Sequence, residues 1–112
     1  MKIDSYSFGE IVIDGKKFTN DVIIYPDRIE SNWWRKEGHE LNPEDITEII
    51  KEKPDLLIIG TGSSGLIEVK EGTKKILKQN NIEFVSVKTE EACRIFNEKS
   101  NGKIIAALHL TC

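Results

Sequence analysis

The sequence predicts an α/β fold in one globular domain over residues 1–112, with a β-rich N-terminal half followed by alternating helices and strands. Three observations lead to this class. Short apolar segments separated by turn residues fill the first third of the chain. Farther on, apolar residues recur at helical spacing, and between these stretches lie continuous apolar runs typical of buried strands. A length of 112 residues suits one domain.

The N-terminal strands are predicted from apolar positions and the turn residues between them. Asp14-Gly15 is a hairpin signal, and Gly9 indicates a bulge or bend in the segment before it. Further turns are predicted at Asn20-Asp21 and Pro26-Asp27. The extended segments lie at residues 6–13, 17–19, 22–25 and 29–34.

Three helices are predicted in the remainder. The first begins with Asn42 as its cap and Pro43 at its first position, and it ends before Pro54. The second covers residues 71–80, and Thr89 is expected to cap the third, which Asn101-Gly102 ends. Strands are predicted at 55–59, 82–87 and 104–110, with a short apolar segment at 66–69; the last strand is apolar enough to be central.

Charge and apolar patterning argue against several classes of function. Sixteen basic and 19 acidic residues give a net charge of −3, whereas nucleic-acid binding favours a basic surface. The longest apolar run, residues 56–59, is far too short to span a membrane. No apolar region follows the N-terminal lysine, so we expect no secretory signal and a cytoplasmic protein.

The cysteines and histidines give no ligand pattern. Cys93, Cys112, His39 and His109 lack the close spacing of a zinc site, so neither a metal nor another cofactor is predicted. Cys93 lies on the apolar face of the third helix and is expected to be a small core residue. The sequence also provides no base beside a candidate nucleophile, so no catalytic set is predicted.

A glycine-rich stretch follows the buried strand at 55–59, and it matches the dinucleotide-binding spelling G-x-G-x-x-G. The context is wrong for that function, because no helix opens directly after the glycines and Lys88 stands where an acidic residue would bind a ribose. Two interpretations stay open: a turn that needs glycine, or a small anion or ligand site. The candidate residues are Gly60, Thr61, Gly62, Ser63, Ser64 and Gly65.

Trp33, Trp34 and Arg35 form the second unusual segment. Adjacent side chains in a strand point to opposite faces, so one tryptophan is expected outside the core. An exposed tryptophan beside an arginine is typical of a protein interface, although the pair could also cover two sides of an edge strand.

The order of several motifs resembles a small archaeal domain family known by its founding member, Mth nine-three-eight. These motifs are residues 57–62, residues 89–97 and the ending at 106–112, together with Tyr25-Pro26 and Trp34. The resemblance implies a three-layer β/β/α fold with a bifurcated mixed sheet. It implies no catalytic residue. Its eukaryotic relatives include mitochondrial complex I assembly factor three and an adipogenesis-associated protein.

The sequence thus favours a non-enzymatic protein that acts through protein contacts as an assembly or accessory factor. Its partner is unknown, and a second copy of the chain is one possibility. The alternative is a small-ligand or anion-binding domain, or an enzyme, that uses the glycine stretch.

Overall fold

The computed structural model describes residues 1–99 and 101–112. The strands are β1 (Ile3–Ser7), β2 (Glu10–Ile13), β3 (Lys16–Phe18), β4 (Val22–Ile24), β5 (Ile29–Ser31), β6 (Glu40–Leu41), β7 (Leu56–Gly60), β8 (Glu68–Val69), β9 (Glu83–Val87) and β10 (Ile104–Leu108). The helices are α1 (Thr47–Glu52), α2 (Glu71–Gln79) and α3 (Thr89–Glu98). The predicted α/β class with a β-rich first half is confirmed.

A mixed five-stranded sheet forms the centre of the fold, in the order β5-β4-β10-β7-β9. Strands β7, β9 and β10 are parallel, whereas β4 runs antiparallel to β10 and β5 antiparallel to β4. The prediction that the last strand is central is confirmed. The central position explains the continuous apolar sequence of this strand, because both of its faces are buried.

Two apolar cores cover the two faces of this sheet. On one face, Ile46 and Ile49 of the first helical segment pack with Leu77 of α2 against Leu57 and Ile59 of β7. On the other face, the antiparallel sheet β1-β2-β3 and helix α3 pack against the alternate residues of the same strands, among them Ile58, Ala106 and Leu108. This alternation arises because successive side chains of a strand point to opposite faces.

Several predicted boundaries in the first half are wrong. Gly9, with φ of 80°, does not bend one strand but closes a tight turn between β1 and β2. The strand predicted at 29–34 ends at Ser31, because Asn32 adopts a left-handed conformation with φ of 66°. Trp33 and Trp34 therefore lie in the loop after β5. The hairpin at Asp14-Gly15 is confirmed, with φ of 49° and 81°.

The second half differs from prediction mainly at the ends of elements. The first helix begins as a 3-10 turn at Pro43–Ile46, where the Asp45 carboxylate accepts a hydrogen bond from the Asn42 amide at 2.8 Å. The segment at 66–69 is only two residues of strand, β8, which pairs with β6.

Thr89 is the first residue of α3 rather than its cap. That helix ends at Glu98, before the predicted stop at Asn101-Gly102, and position 100 of the prediction lies outside the described residues. Strand β10 stops two residues early, at Leu108. Within the described ranges, none of the helices has the length and apolar character needed to cross a membrane.

Candidate functional site

The glycine stretch leaves the carboxyl end of β7, stays buried as far as Gly62 and reaches the surface at Ser64. A Cβ at Gly60 would stand 2.9 Å from both Leu108 Cδ2 and Thr89 Oγ1. At Gly62, φ is 109° and a Cβ would collide with the backbone carbonyl of Cys112. These two positions therefore need glycine for close packing of the backbone.

Most amides of the stretch donate to acceptors within the protein. Thr61 donates to the Val87 carbonyl at 2.9 Å, and Ser63 donates to the Thr111 carbonyl at 2.7 Å. The Gly62 amide donates to Thr89 Oγ1 at 2.9 Å, and that hydroxyl donates in turn to the His109 carbonyl at 2.6 Å. An anion nest needs unpaired amides, so these bonds weigh against the anion site, which stays a prediction.

The side chain of Ser63 does reach the surface, where it lines a cavity of about 440 Å³. The other lining residues are Lys88, Arg94, Glu90 and Glu91. Arg94 pairs with Glu91 and Glu98, so the positive charges here are balanced by carboxylates. The cavity has no excess positive charge for an anion.

The Trp33-Trp34 pair divides between the interior and the solvent, as predicted. Trp33 is 7% exposed, and its indole Nε1 donates to the Asp45 carbonyl at 3.2 Å. Trp34 is 77% exposed. Trp34 lies between two clefts, of about 360 Å³ and about 240 Å³, and lines both.

A buried charged cluster of Asp21, Arg35 and His109 supports the tryptophan loop. Arg35 Nη1 donates to Asp21 Oδ2 at 2.9 Å, and the Leu110 amide donates to Asp21 Oδ1 at 2.8 Å. His109 Nδ1 lies 2.7 Å from Asp21 Oδ2 and 3.1 Å from Arg35 Nη2. Because a carboxylate only accepts, the contact with Asp21 is a hydrogen bond in the tautomer that has its proton on Nδ1. The Arg35 guanidinium also lies 4.7 Å from the Trp33 ring centre.

These contacts fix the ionisation of Asp21. Burial alone raises the pKa of the Asp21 carboxyl, but the hydrogen bonds from His109, the Leu110 amide and Arg35 outweigh it and hold the pKa below its usual value. The cluster is therefore an ion pair that anchors Arg35, and with it the loop carrying Trp34.

Sequence reasoning missed this cluster because it treated Asp21 as a turn residue and His109 as part of an ending motif. One signal was available. Asp21 directly precedes β4 and His109 directly follows β10, and these strands pair antiparallel with Val22 opposite Leu108. Antiparallel pairing of the two predicted strands brings these flanking residues together.

The cluster resembles a nucleophile relay only in outline. His109 Nε2 lies 3.4 Å from Thr111 Oγ1, which gives the order carboxylate, imidazole and hydroxyl. In a working relay the carboxylate charge stabilises the protonated imidazole. Here Arg35 donates to the same carboxylate oxygen at 2.9 Å, so the charge of Asp21 is shared between Arg35 and the imidazole.

The remaining cysteine and histidine candidates show no sign of a reactive or metal-binding role among the described residues. Cys93 is buried in the core as predicted, and burial raises the pKa of its thiol to about 12, far from thiolate activation. His39 packs edge-on to His109 with ring centres 6.4 Å apart. Among the residues that the structure covers, no three possible metal ligands group together.

Comparisons with known proteins identify the family. A family model described as a protein of unknown function (DUF498/DUF598) matches residues 3–109. The conserved hypothetical protein PH1505 from Pyrococcus horikoshii is 32% identical, each chain is covered completely, and the TM-score is 0.86. The chain therefore belongs to this family.

Two more distant structures show the same fold. The structure of MT938 is 22% identical over 99% of this chain and 98% of its own, with a TM-score of 0.78. A Mth938-like domain from Bordetella pertussis is 16% identical over 97% of this chain and 85% of its own, with a TM-score of 0.67. The resemblance to the Mth nine-three-eight family is thus confirmed.

Proposed function

We propose that the protein acts in the cytoplasm through contacts with another protein, as an assembly or accessory factor. The observation that carries this proposal is Trp34, a large aromatic side chain that is 77% exposed between two clefts. Aromatic residues beside concave surfaces supply much of the binding energy at protein interfaces. The cytoplasm is supported by the free thiols of Cys93 and Cys112, which suit a reducing compartment.

The base under Trp34 supports the same function. Trp33 is held by its indole hydrogen bond to Asp45, and Arg35 by its ion pair with Asp21. The residues on either side of Trp34 are therefore fixed before any partner arrives. Less conformational entropy is lost when a partner binds a surface that is already ordered.

Affinity capture from native lysate tests the proposal. Wild type and Trp34→Ala serve as baits, and Phe8→Ala serves as the matched control because Phe8 is also a large exposed side chain, at 62%. We expect a protein that wild type and Phe8→Ala retain and that Trp34→Ala loses. Equal retention by all three baits, or no specific protein on any of them, contradicts the proposal.

A further inference from the structure

The smaller of the two clefts beside Trp34 has an unusual chemical composition. Its walls carry four carboxylates, three aromatic rings and no basic side chain among the described residues. The carboxylates belong to Glu30, Glu44, Asp45 and Glu48, and the rings belong to Tyr25, Trp33 and Trp34. Its volume is about 240 Å³, enough for a long side chain but small for a cofactor.

Three of these carboxylates are available to a ligand. Asp45 is occupied, because its two oxygens accept from the Lys36 and Asn42 amides. Glu30, Glu44 and Glu48 are exposed. Lys36 approaches Glu44 at 3.9 Å and Lys51 approaches Glu48 at 3.3 Å. Both lysines are mostly exposed, and such surface ion pairs are weak, so a ligand can displace them.

The aromatic walls show how a cation is held on this surface. Arg28 Cζ lies 4.0 Å from the Tyr25 ring centre, and Arg35 Cζ lies 4.7 Å from the Trp33 ring centre. Trp34 has no such partner among the described residues. Tryptophan has the strongest cation–π attraction of the aromatic side chains, so the open face of Trp34 is the strongest free cation site in this wall.

Tyr25 provides a second and independent sign of a ligand. Its side chain is 1% exposed, and its buried hydroxyl has no hydrogen-bond partner among the residues that the structure covers. A buried hydroxyl without a partner is costly, and the phenolic oxygen can accept a hydrogen bond from a guanidinium or ammonium group.

We infer that this cleft binds an arginine or lysine side chain in a basic segment of a protein partner, with the cation over Trp34 and between Glu30, Glu44 and Glu48. The inference rests on the proposed function and adds the chemistry of the partner. Arginine suits the site better than lysine, because its planar guanidinium stacks on an aromatic face while donating to carboxylates.

Titration with short blocked peptides tests the inference. The probe is Gly-Arg-Gly-Arg-Gly, and the matched probe carries citrulline in place of arginine, which keeps the shape and removes the charge. Binding is followed through the Trp34 indole N–H in proton–nitrogen spectra at low salt, with the Trp33 indole N–H as an internal reference. We expect the arginine peptide to move the Trp34 signal and the citrulline peptide to leave it unchanged.

Two triple variants with the same change in net charge locate the site. The cleft variant combines Glu30→Gln, Glu44→Gln and Glu48→Gln, and the control combines Glu71→Gln, Glu83→Gln and Glu90→Gln, which are exposed elsewhere. We expect about tenfold weaker peptide binding in the cleft variant and less than about twofold in the control. Equal weakening in both, or equal binding of the citrulline peptide, overturns the inference.

The same variants separate this inference from the proposed function. If the captured partner is lost with Trp34→Ala but retained by the cleft variant, the proposed function is supported and the inference that the partner binds through a basic side chain is wrong. If Trp34→Ala instead abolishes dimers of the protein in sedimentation experiments, the occupant of the cleft is a second copy and the inference is overturned.

Discussion

Asp21 joins three parts of the chain that are distant in sequence. Its carboxylate accepts from Arg35, from His109 and from the Leu110 amide, while its carbonyl accepts from the Trp33 amide at 2.9 Å. The side chain is 16% exposed, so these bonds are shielded from water. Loss of the charge therefore leaves the Arg35 cation buried without its counterion.

We expect Asp21→Asn to lower the free energy of unfolding at pH 7 by about 3 kcal/mol, because breaking a buried ion pair leaves an uncompensated charge. The sign of the pH dependence follows from the lowered pKa of Asp21. Its contribution is present above the unfolded pKa, about 3.9, and is lost as the pH falls through the folded pKa. Urea unfolding at pH 7 and in acid should show the difference between the two proteins shrinking in acid; an unchanged difference contradicts the ion pair.

The two tryptophans should respond differently to the same substitution. Trp33→Ala removes a core side chain and should cost about 3–5 kcal/mol of stability. Trp34→Ala should change stability by less than about 0.5 kcal/mol, because its ring is exposed. Thermal or urea unfolding measures both, and a large loss of stability in Trp34→Ala would assign Trp34 to the fold instead of to an interface.

At the scale of elements, the glycine stretch holds the end of β7 against the segment that follows β10 through hydrogen bonds. The Ser63 amide donates to the Thr111 carbonyl, and the Leu66 amide just after the stretch donates to the Cys112 carbonyl. Together with the Thr89 hydroxyl, these bonds tie three chain segments at one end of the sheet. Glycine is thus needed here for close packing of the backbone, and a match to G-x-G-x-x-G does not by itself indicate a cofactor.

Gly62 and Gly65 provide a matched test of that conclusion. Both have positive φ, but a Cβ at Gly65 meets only side-chain atoms, of Lys88 at 3.3 Å and of Thr61 at 3.5 Å, whereas at Gly62 it collides with the backbone of Cys112. We expect Gly65→Ala to cost about 1–2 kcal/mol from its backbone conformation alone, and Gly62→Ala to cost clearly more. Equal losses in chemical denaturation would contradict the close approach of Cys112.

The sequence predicted the second half of the fold better than the first. Strands β7 and β10 are buried on both faces, so their continuous apolar runs were strong signals. The end of β5 was missed because only the left-handed conformation of Asn32 stops the strand, and asparagine does not demand that conformation. Strand alternation predicted that one tryptophan would be exposed; the outcome is right but its reason is wrong, because both tryptophans lie in a loop where Trp33 is held by its amide bond to Asp21.

On the scale of the whole molecule, the central sheet is shared by both apolar cores. Ile49 belongs to one core and Ile11 to the other, and each core uses alternate residues of the same strands. Damage to one face therefore weakens the strands that the other face requires.

We accordingly expect one cooperative unfolding transition for residues 1–112. Ile49→Ala and Ile11→Ala should each lower stability by about 2–5 kcal/mol without changing the denaturant dependence. Tryptophan fluorescence reports mainly on the Trp33 side, and far-ultraviolet circular dichroism reports on the whole backbone. Coincident transitions by both probes support a single domain, and separated transitions contradict it.

The position of β10 also has a consequence for how the protein is made. This strand joins β4 to β7 but is synthesised after all the other strands of the sheet. Until the ribosome has delivered it, β4 and β7 each have one edge of unpaired backbone groups, where β10 will lie, that stays open to other chains. The nascent protein therefore completes its central sheet only after this strand has emerged, and the interval before that is when its unpaired strand edges are open to aggregation.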